Sequence, residues 1–390
     1  MSATTPPPIS TPDPAATASG TSTATTTTAP ESGVVGPDME RLQRLVIQAI
    51  TDVGAAINGS LVMLGTDLGF WSALADGEKA TAAELADRCG VPAPYADQWL
   101  CAQAASGYVD ASVDPETGTD LFRLSPEQAM IFCDPDSPAY LAGGYHIVRS
   151  VYQDLPRIEE RMREGSGFGW HEHDPELFLG TEQFFRPGYR THLLESWLPA
   201  LEGVEDALVA GARVADVGCG HGVSTAIMAQ RYQASTFFGF DYHAASIDRA
   251  IVLAAEMGVA GNTGFVRAAA DDYPGSDYDL ICFFDCLHDM GDPVGALKHA
   301  REALSPTGTV MLVEPIAGDA LAENLNPVGR IYYAASTMIC TPSSLSQDAQ
   351  AALGAQAGEA RLRRAAELAG FSRFRRATET AVNMVLELRP

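Results

Sequence analysis

Three short stretches carry residues whose types and spacing could do chemistry. In "DVGCGHG" (Asp216 to Gly222) three alternate glycines follow an apolar run and open a helix pattern. Glycine there permits a tight turn and lets a ligand approach the backbone without a Cβ in the way. In "FFGFDY" an apolar run ends in Asp241, about 20 residues further on, the spacing of an acid that accepts both ribose hydroxyls. In "LICFFDCLHDMGDP" another apolar run stops at Asp285 and is followed by His288 and Asp289. A neutral imidazole with an ordinary pKa near ~6.5 suits proton abstraction at physiological pH. The competing reading of His288 is a residue that only shapes its loop.

The glycine turn alone leaves open a dinucleotide or another nucleoside ligand. Two details separate them. Dinucleotide turns read G-x-G-x-x-G, whereas this one reads D-x-G-x-G-x-G. Asp216 at its head would repel a pyrophosphate and attract an ammonium group. Gly218, Cys219 and Gly220 in the turn, Asp241 and Tyr242 after the next strand, and Asp285 facing the cationic part are the expected cofactor residues. Asp271 and Asp272, after a third strand, could accept from an adenine amino group. Adenosine joined to a cationic amino acid describes S-adenosyl-L-methionine.

Elements must position these residues. From about Asp206 onward strand and helix patterns alternate: "RVADVG", "STFFGFD", "TGFVRAA", "YDLICFFD" and "GTVMLVEP" read as strands with helices between, and "RFRRATE" and "NMVLELR" as two more. Such alternation implies a mostly parallel sheet covered on both faces, with ligands beyond the carboxyl ends of its strands. The expected fold class is therefore α/β, a Rossmann-like sheet of seven strands.

Ahead of it, Leu42, Leu45, Val46, Ala49, Ile50 and Val53 form one apolar stripe of a helix, to be covered by a second subunit or by the protein's own core. Thr81 with Glu84 makes a capping-box pattern for a helix that stops at Gly90. A second helix runs to Ala105, and "YVDASV" and "LFRL" flank the turn "DPETG", the element order of a winged helix. DNA binding is disfavoured because "PYADQWLCAQAA" holds no Lys or Arg. Residues 137–205 read as helical and aromatic, a linker in which Phe185 and Tyr189 could cap the cofactor domain. His171 and His173 lie in a Gly-rich loop without further clustered ligands, so no metal is expected.

The segment 206–316 resembles a class I methyltransferase, with "VADVGCGHG" as its glycine motif and "FFGFD" as its ribose-binding strand. The region before it resembles the N-terminal winged-helix dimerisation domain of bacterial and plant small-molecule O-methyltransferases. The resemblance is greatest to actinobacterial two-domain proteins sharing "DCLHDMGDP" and "NPVGR", and it covers nearly everything after residue 38. It implies domains at 38–136 (winged helix, dimerisation), 137–205 (helical linker and cap) and 206–390 (S-adenosylmethionine-binding), and methyl transfer to a small-molecule hydroxyl. In such enzymes an "LHDW" stretch supplies the histidine that takes the hydroxyl proton; His288 matches it, with Met290 in place of the tryptophan. One departure is the run "AAADDYP", where family members have "GDA". Ala269 stands at the acid's place, so adenine recognition shifts to Asp271 or the backbone around Ala270. The insert "NLNPVGRIYYAASTMICTPSSLSQ" offers Arg330, Tyr333 and Met338 as acceptor-pocket residues beside Phe185 and Tyr189.

The bulk composition narrows the classes. With 50 acidic against 25 basic residues the formal charge is −25, which repels nucleic acid and anionic membranes. Seven scattered cysteines with no CxxC pair suggest a reducing cytoplasm. No uninterrupted apolar run approaches the ~20 residues of a membrane helix, and the Pro/Thr/Ala-rich segment 1–37 is expected to be disordered. A homodimer is expected. Two other readings fit parts of the pattern: a winged-helix regulator that senses S-adenosylmethionine, and a methyltransferase-fold enzyme that catalyses something other than methylation.

Overall fold

The computed structural model describes residues 36–390; most of the segment expected to be disordered lies outside the described residues. The described residues divide into two units between Thr51 and Asp52. Helix α1 spans Met39–Asp67. Its stripe residues Leu42, Leu45, Val46, Ile50 and Val53 are between 43 and 68 % exposed. By length and composition this helix could also cross a membrane. Counting uninterrupted apolar runs misses that, because polar residues interrupt every apolar run along this 29-residue helix.

Helix α2 (Ala82–Cys89) begins at Thr81, whose Oγ1 accepts from the Glu84 N–H at 3.2 Å while Glu84 accepts from the Thr81 N–H at 2.7 Å. It ends at Gly90 with φ 68°, a left-handed position that glycine takes without strain. Helix α3 (Ala93–Ala105) and the antiparallel pair β1 (Asp110–Val113) and β2 (Asp120–Arg123) follow. Trp71 lies at the centre of this region, stacked on Phe132 with ring centroids 4.3 Å apart and edge-on to Trp99.

Helix α4 (Tyr145–Glu164) packs with α5 (Glu176–Gly188), which continues into a π-helical turn, Tyr189–Trp197. Together they bring aromatic side chains to the carboxyl edge of the sheet that follows.

That sheet contains β3 (Arg213–Val217), β4 (Thr236–Asp241), β5 (Thr263–Arg267), β6 (Tyr278–Phe284), β7 (Leu304–Pro315), β8 (Arg373–Glu379) and β9 (Asn383–Arg389). Its order is β5-β4-β3-β6-β7-β9-β8. The first five strands are parallel and β9 runs antiparallel to both neighbours. Helices α6 (Val223–Arg231), α7 (Ala244–Glu256), α8 (Pro293–Ala303), α9 (Pro327–Ala335) and α10 (Gly358–Leu368) complete the domain. Separate apolar cores form on the two faces, one around Trp197, Met228 and Phe237, the other around Phe240, Ile281 and Leu362. Strand β6 contributes to both, which is why its sequence is nearly continuously apolar. Truncating Phe283 there would cost about 3–5 kcal/mol. After β3 the chain moves outward through β4 and β5, then returns to place β6 on the other side of β3. The crevice for a ligand lies at that reversal.

Candidate functional site

The reversal opens into a cavity of about 600 Å³. Its walls are the glycine turn, the ends of β4, β5 and β6, the aromatic face of α5, and residues near Ser343 and Gln347.

The turn owes its shape to glycine. Gly218 has φ 74°, and a Cβ there would stand 2.8 Å from Cys286 Sγ. Gly220 has φ 52°, with nothing within 4 Å of where its Cβ would be, so its backbone is open to a ligand. The Gly220 N–H donates to Asp241 Oδ2 at 3.0 Å and the His243 N–H to Oδ1 at 2.8 Å. Asp241 thus joins the turn to the start of α7 while lining the cavity. Burial raises its carboxyl pKa and these two N–H groups oppose the rise.

Asp216 sits underneath. Its Oδ2 accepts from Ser224 Oγ at 2.7 Å and Thr225 Oγ1 at 2.5 Å, while Oδ1 is buried without a partner. Burial pushes this carboxyl up to about 6 against the pull of those hydroxyls. Asp285, at φ 49°, accepts from Asn383 Nδ2 at 2.7 Å; its Oδ2 is unpartnered, and burial, then the Glu314 charge, holds its carboxyl well above the usual range.

His288 lies in a single helical turn, Leu287–Asp289. Its Nδ1 is 2.5 Å from Glu314 Oε2, and the other oxygen of Glu314 accepts from the Leu287 N–H at 3.0 Å. Nε2 lies 3.1 Å from Asp289 Oδ1. Burial alone would lower the pKa of this imidazole, but the Asp289 and Glu314 carboxylates outweigh it and hold it well above its usual value. A histidine so placed accepts a further proton only when the Asp289 carboxylate is engaged elsewhere. Asp289 lines the cavity and can be so engaged; the His288 ring stands behind it.

Of the expected cofactor residues, Gly218, Cys219, Gly220, Asp241, Tyr242, Ala270, Asp271 and Asp285 meet in this one cavity, and Asp216 lies beneath it. Phe185 and Tyr189 reach it from the cap, whereas Arg330, Tyr333 and Met338 lie outside its wall. Arg330 Nη2 pairs with Asp52 Oδ1 at 2.9 Å with its side chain 65 % exposed, and the Tyr333 hydroxyl accepts from Asn324. His171 and His173 do not converge. His173 Nδ1 pairs with buried Asp154 at 2.8 Å, while His171 packs edge-on against Tyr242.

Two features escaped the sequence reading. Glu314 reads in the sequence as the end of a strand, although a lone acid within "VMLVEP" is itself a signal, since a buried carboxylate needs a partner. Glu182 accepts from Arg186 and lies 2.7 Å from His221 Nδ1, tying the cap to the glycine turn.

Comparison with known proteins bears on what this site is. Residues 188–355 match the family model described as "Methyltransferase domain". That stretch is similar to the domain the family model describes. It contains the whole cavity floor from the glycine turn to Gln347. The chain is 32 % identical over 110 residues to a ubiquinone biosynthesis O-methyltransferase of Pseudomonas aeruginosa, covering 28 % of this chain and 46 % of that protein. It is 30 % identical over 105 residues to a trans-aconitate 2-methyltransferase of Streptomyces avermitilis, covering 27 % and 39 %. The chain thus spans less than half the length of these curated relatives. Its fold matches human N-acetylserotonin methyltransferase, solved with S-adenosylmethionine, at a TM-score of 0.66, 16 % identity and coverage of 92 % of this chain and 99 % of that one. It also matches mitomycin 7-O-methyltransferase MmcR at 0.63 and 16 %, over 90 % and 100 %. The fold is the Rossmann-like methyltransferase fold preceded by a helical region.

The cavity has room and polar groups that fit S-adenosylmethionine. Gly220 leaves its backbone open, Asp241 faces the cavity, and the unpartnered buried oxygens of Asp216 and Asp285 would be relieved by a positively charged group.

Proposed function

We propose that the protein is an S-adenosyl-L-methionine-dependent methyltransferase acting on a hydroxyl of a small molecule. The observation that carries the reading is the single cavity in which the glycine turn and Asp241 face Asp289, with the His288–Glu314 pair directly behind. S-adenosylmethionine, when bound, supplies a methyl group already activated by its sulfonium, so the chain's work is positioning and proton handling. Asp241 holds the ribose hydroxyls, Asp271 and the backbone at Ala270 receive the adenine, and Asp285 holds the ammonium end, with Asp216 adding negative charge from beneath the turn. Asp289, drawn toward the cofactor's positive charge, no longer stabilises the imidazolium; His288 gives up its Nε2 proton to solvent and, as neutral imidazole, accepts the hydroxyl proton there, with Glu314 steadying the imidazolium that forms. Phe185 and Tyr189 form the apolar wall against which an organic acceptor lies; the enclosing α5 cap favours a small acceptor over a polymer.

The protein is proposed to work in the cytoplasm, in keeping with seven free cysteines, and as a homodimer that covers the exposed stripe of α1. The test is turnover with a panel of phenols and other hydroxyl acceptors, comparing wild type with His288→Ala. A methylated oxygen product that His288→Ala no longer makes, with cofactor binding retained, supports the reading. Tight cofactor binding with no methylated product from any hydroxyl acceptor would overturn it.

A further inference from the structure

Three side chains from two distant segments meet beside the cavity without any metal motif in the sequence. His288 and Asp289 come from the turn after β6, and Cys340 closes a π-helical turn, Ser336–Cys340. A ring nitrogen of His288, a carboxylate oxygen of Asp289 and Sγ of Cys340 all lie within 4.8 Å of one another. His288 and Cys340 are buried, at 4 % and 6 % exposure. Asp289 Oδ1 stands 3.1 Å from His288 Nε2, yet it is a buried oxygen with no hydrogen-bond partner. The two atoms are close without being aligned as donor and acceptor, which is how ligand atoms stand around a shared cation. Behind the ring, Glu314 holds Nδ1, the carboxylate that typically backs a metal-bound histidine and leaves Nε2 for the metal. The π-helical turn that presents Cys340 is itself a rare device that clusters at functional sites.

We propose that His288, Asp289 and Cys340 form a binding site for a thiophilic divalent cation of the Zn²⁺ class. One nitrogen, one oxygen and one sulfur suit a tetrahedral borderline metal with a fourth position left open. Mg²⁺ and Ca²⁺, which require oxygen ligands, do not fit it. On binding, the Cys340 thiol and the His288 imidazolium release their protons to solvent and become thiolate and neutral imidazole ligands. The cation takes Nε2, the atom assigned above to receive the acceptor's proton. Occupancy and proton acceptance therefore exclude each other, and Zn²⁺ inhibits turnover. That consequence rests on the proposed function; the binding site does not.

The test is titration of the full-length, chelator-stripped protein with Co²⁺ as a spectroscopic stand-in. One Co²⁺ per chain is expected, with a near-ultraviolet thiolate-to-cobalt charge-transfer band, tetrahedral d–d absorption, and displacement by Zn²⁺. Cys340→Ser should lose the charge-transfer band with unchanged circular dichroism, and His288→Gln should bind at least about tenfold more weakly. Absence of the band in wild type, or a band that persists in Cys340→Ser, would overturn the site. A cobalt site that passes these tests while Zn²⁺ leaves turnover untouched supports the site and removes His288 from the role of base.

Discussion

Glu314 grips the turn that bears His288 with both carboxylate oxygens, one 2.5 Å from Nδ1 of the ring and the other accepting from the Leu287 N–H at 3.0 Å. The ring's orientation and its free nitrogen are thereby set from the neighbouring strand rather than from within the loop. A base oriented this way is sensitive to loss of the orienting charge. Glu314→Gln should lower kcat by about 10²-fold or more, within the range a positioned general base supplies, and leave cofactor affinity within about twofold of wild type. Single-turnover rates and calorimetric affinities measured side by side check this; an unchanged kcat would remove the pair from the mechanism.

Gly220 is the point at which the backbone is barest toward the cavity. Gly220→Val would place a branched side chain in that space at φ 52°. Left-handed strain of about 1–2 kcal/mol should lower the Tm modestly, whereas affinity for S-adenosylmethionine should fall by more than about tenfold, or 1.4 kcal/mol. Equal affinity in the folded variant would mean the cofactor does not lie over this turn.

Asp216 makes stability depend on pH. Its folded pKa, about 6, lies above the unfolded value. The protonated form is therefore the one folding favours, and the contribution is complete below about pH 4 and lost as pH rises through 6. In Asp216→Asn this loss is absent. The stability of the variant relative to wild type should therefore grow by about 2 kcal/mol between pH 4 and pH 7. Chemical denaturation at several pH values measures that difference, and a flat difference would contradict the assignment.

The proposed homodimer would cover the apolar stripe of α1. Light scattering should find a dimer for wild type and a monomer for Val46→Glu/Ile50→Glu. A monomeric wild type that sediments with lipid vesicles would instead assign the stripe to a membrane, which the length and composition of the helix permit.

How much of this was legible in the sequence depended on the range of the interaction. The strands from "RVADVG" to "NMVLELR" were readable because each buried strand is a short apolar run ended by a turn, and the seven-stranded sheet contains them all. The capping box at Thr81 and Glu84 was readable because both halves lie within four residues. The glycine turn and Asp241 were legible for a different reason: in a parallel sheet consecutive strand ends lie on one edge, so residues at those ends meet. The His288–Glu314 pair was not, since it depends on β6 and β7 being neighbours in a particular register. Arg330 misled because a cation in an insert beside a pocket says nothing of its direction, and here it turns to Asp52. The meeting of Cys340 with His288 and Asp289 likewise depends on how the π-helical turn packs, which local periodicity does not encode.

The most direct test of the central claim is calorimetric binding of S-adenosylmethionine and its demethylated product to wild type and Asp241→Ala. Micromolar binding to wild type, reduced by two orders of magnitude or more in the variant, about 3 kcal/mol, is the expected result. No binding to wild type, or equal binding to both proteins, would contradict the assignment of this cavity to the cofactor.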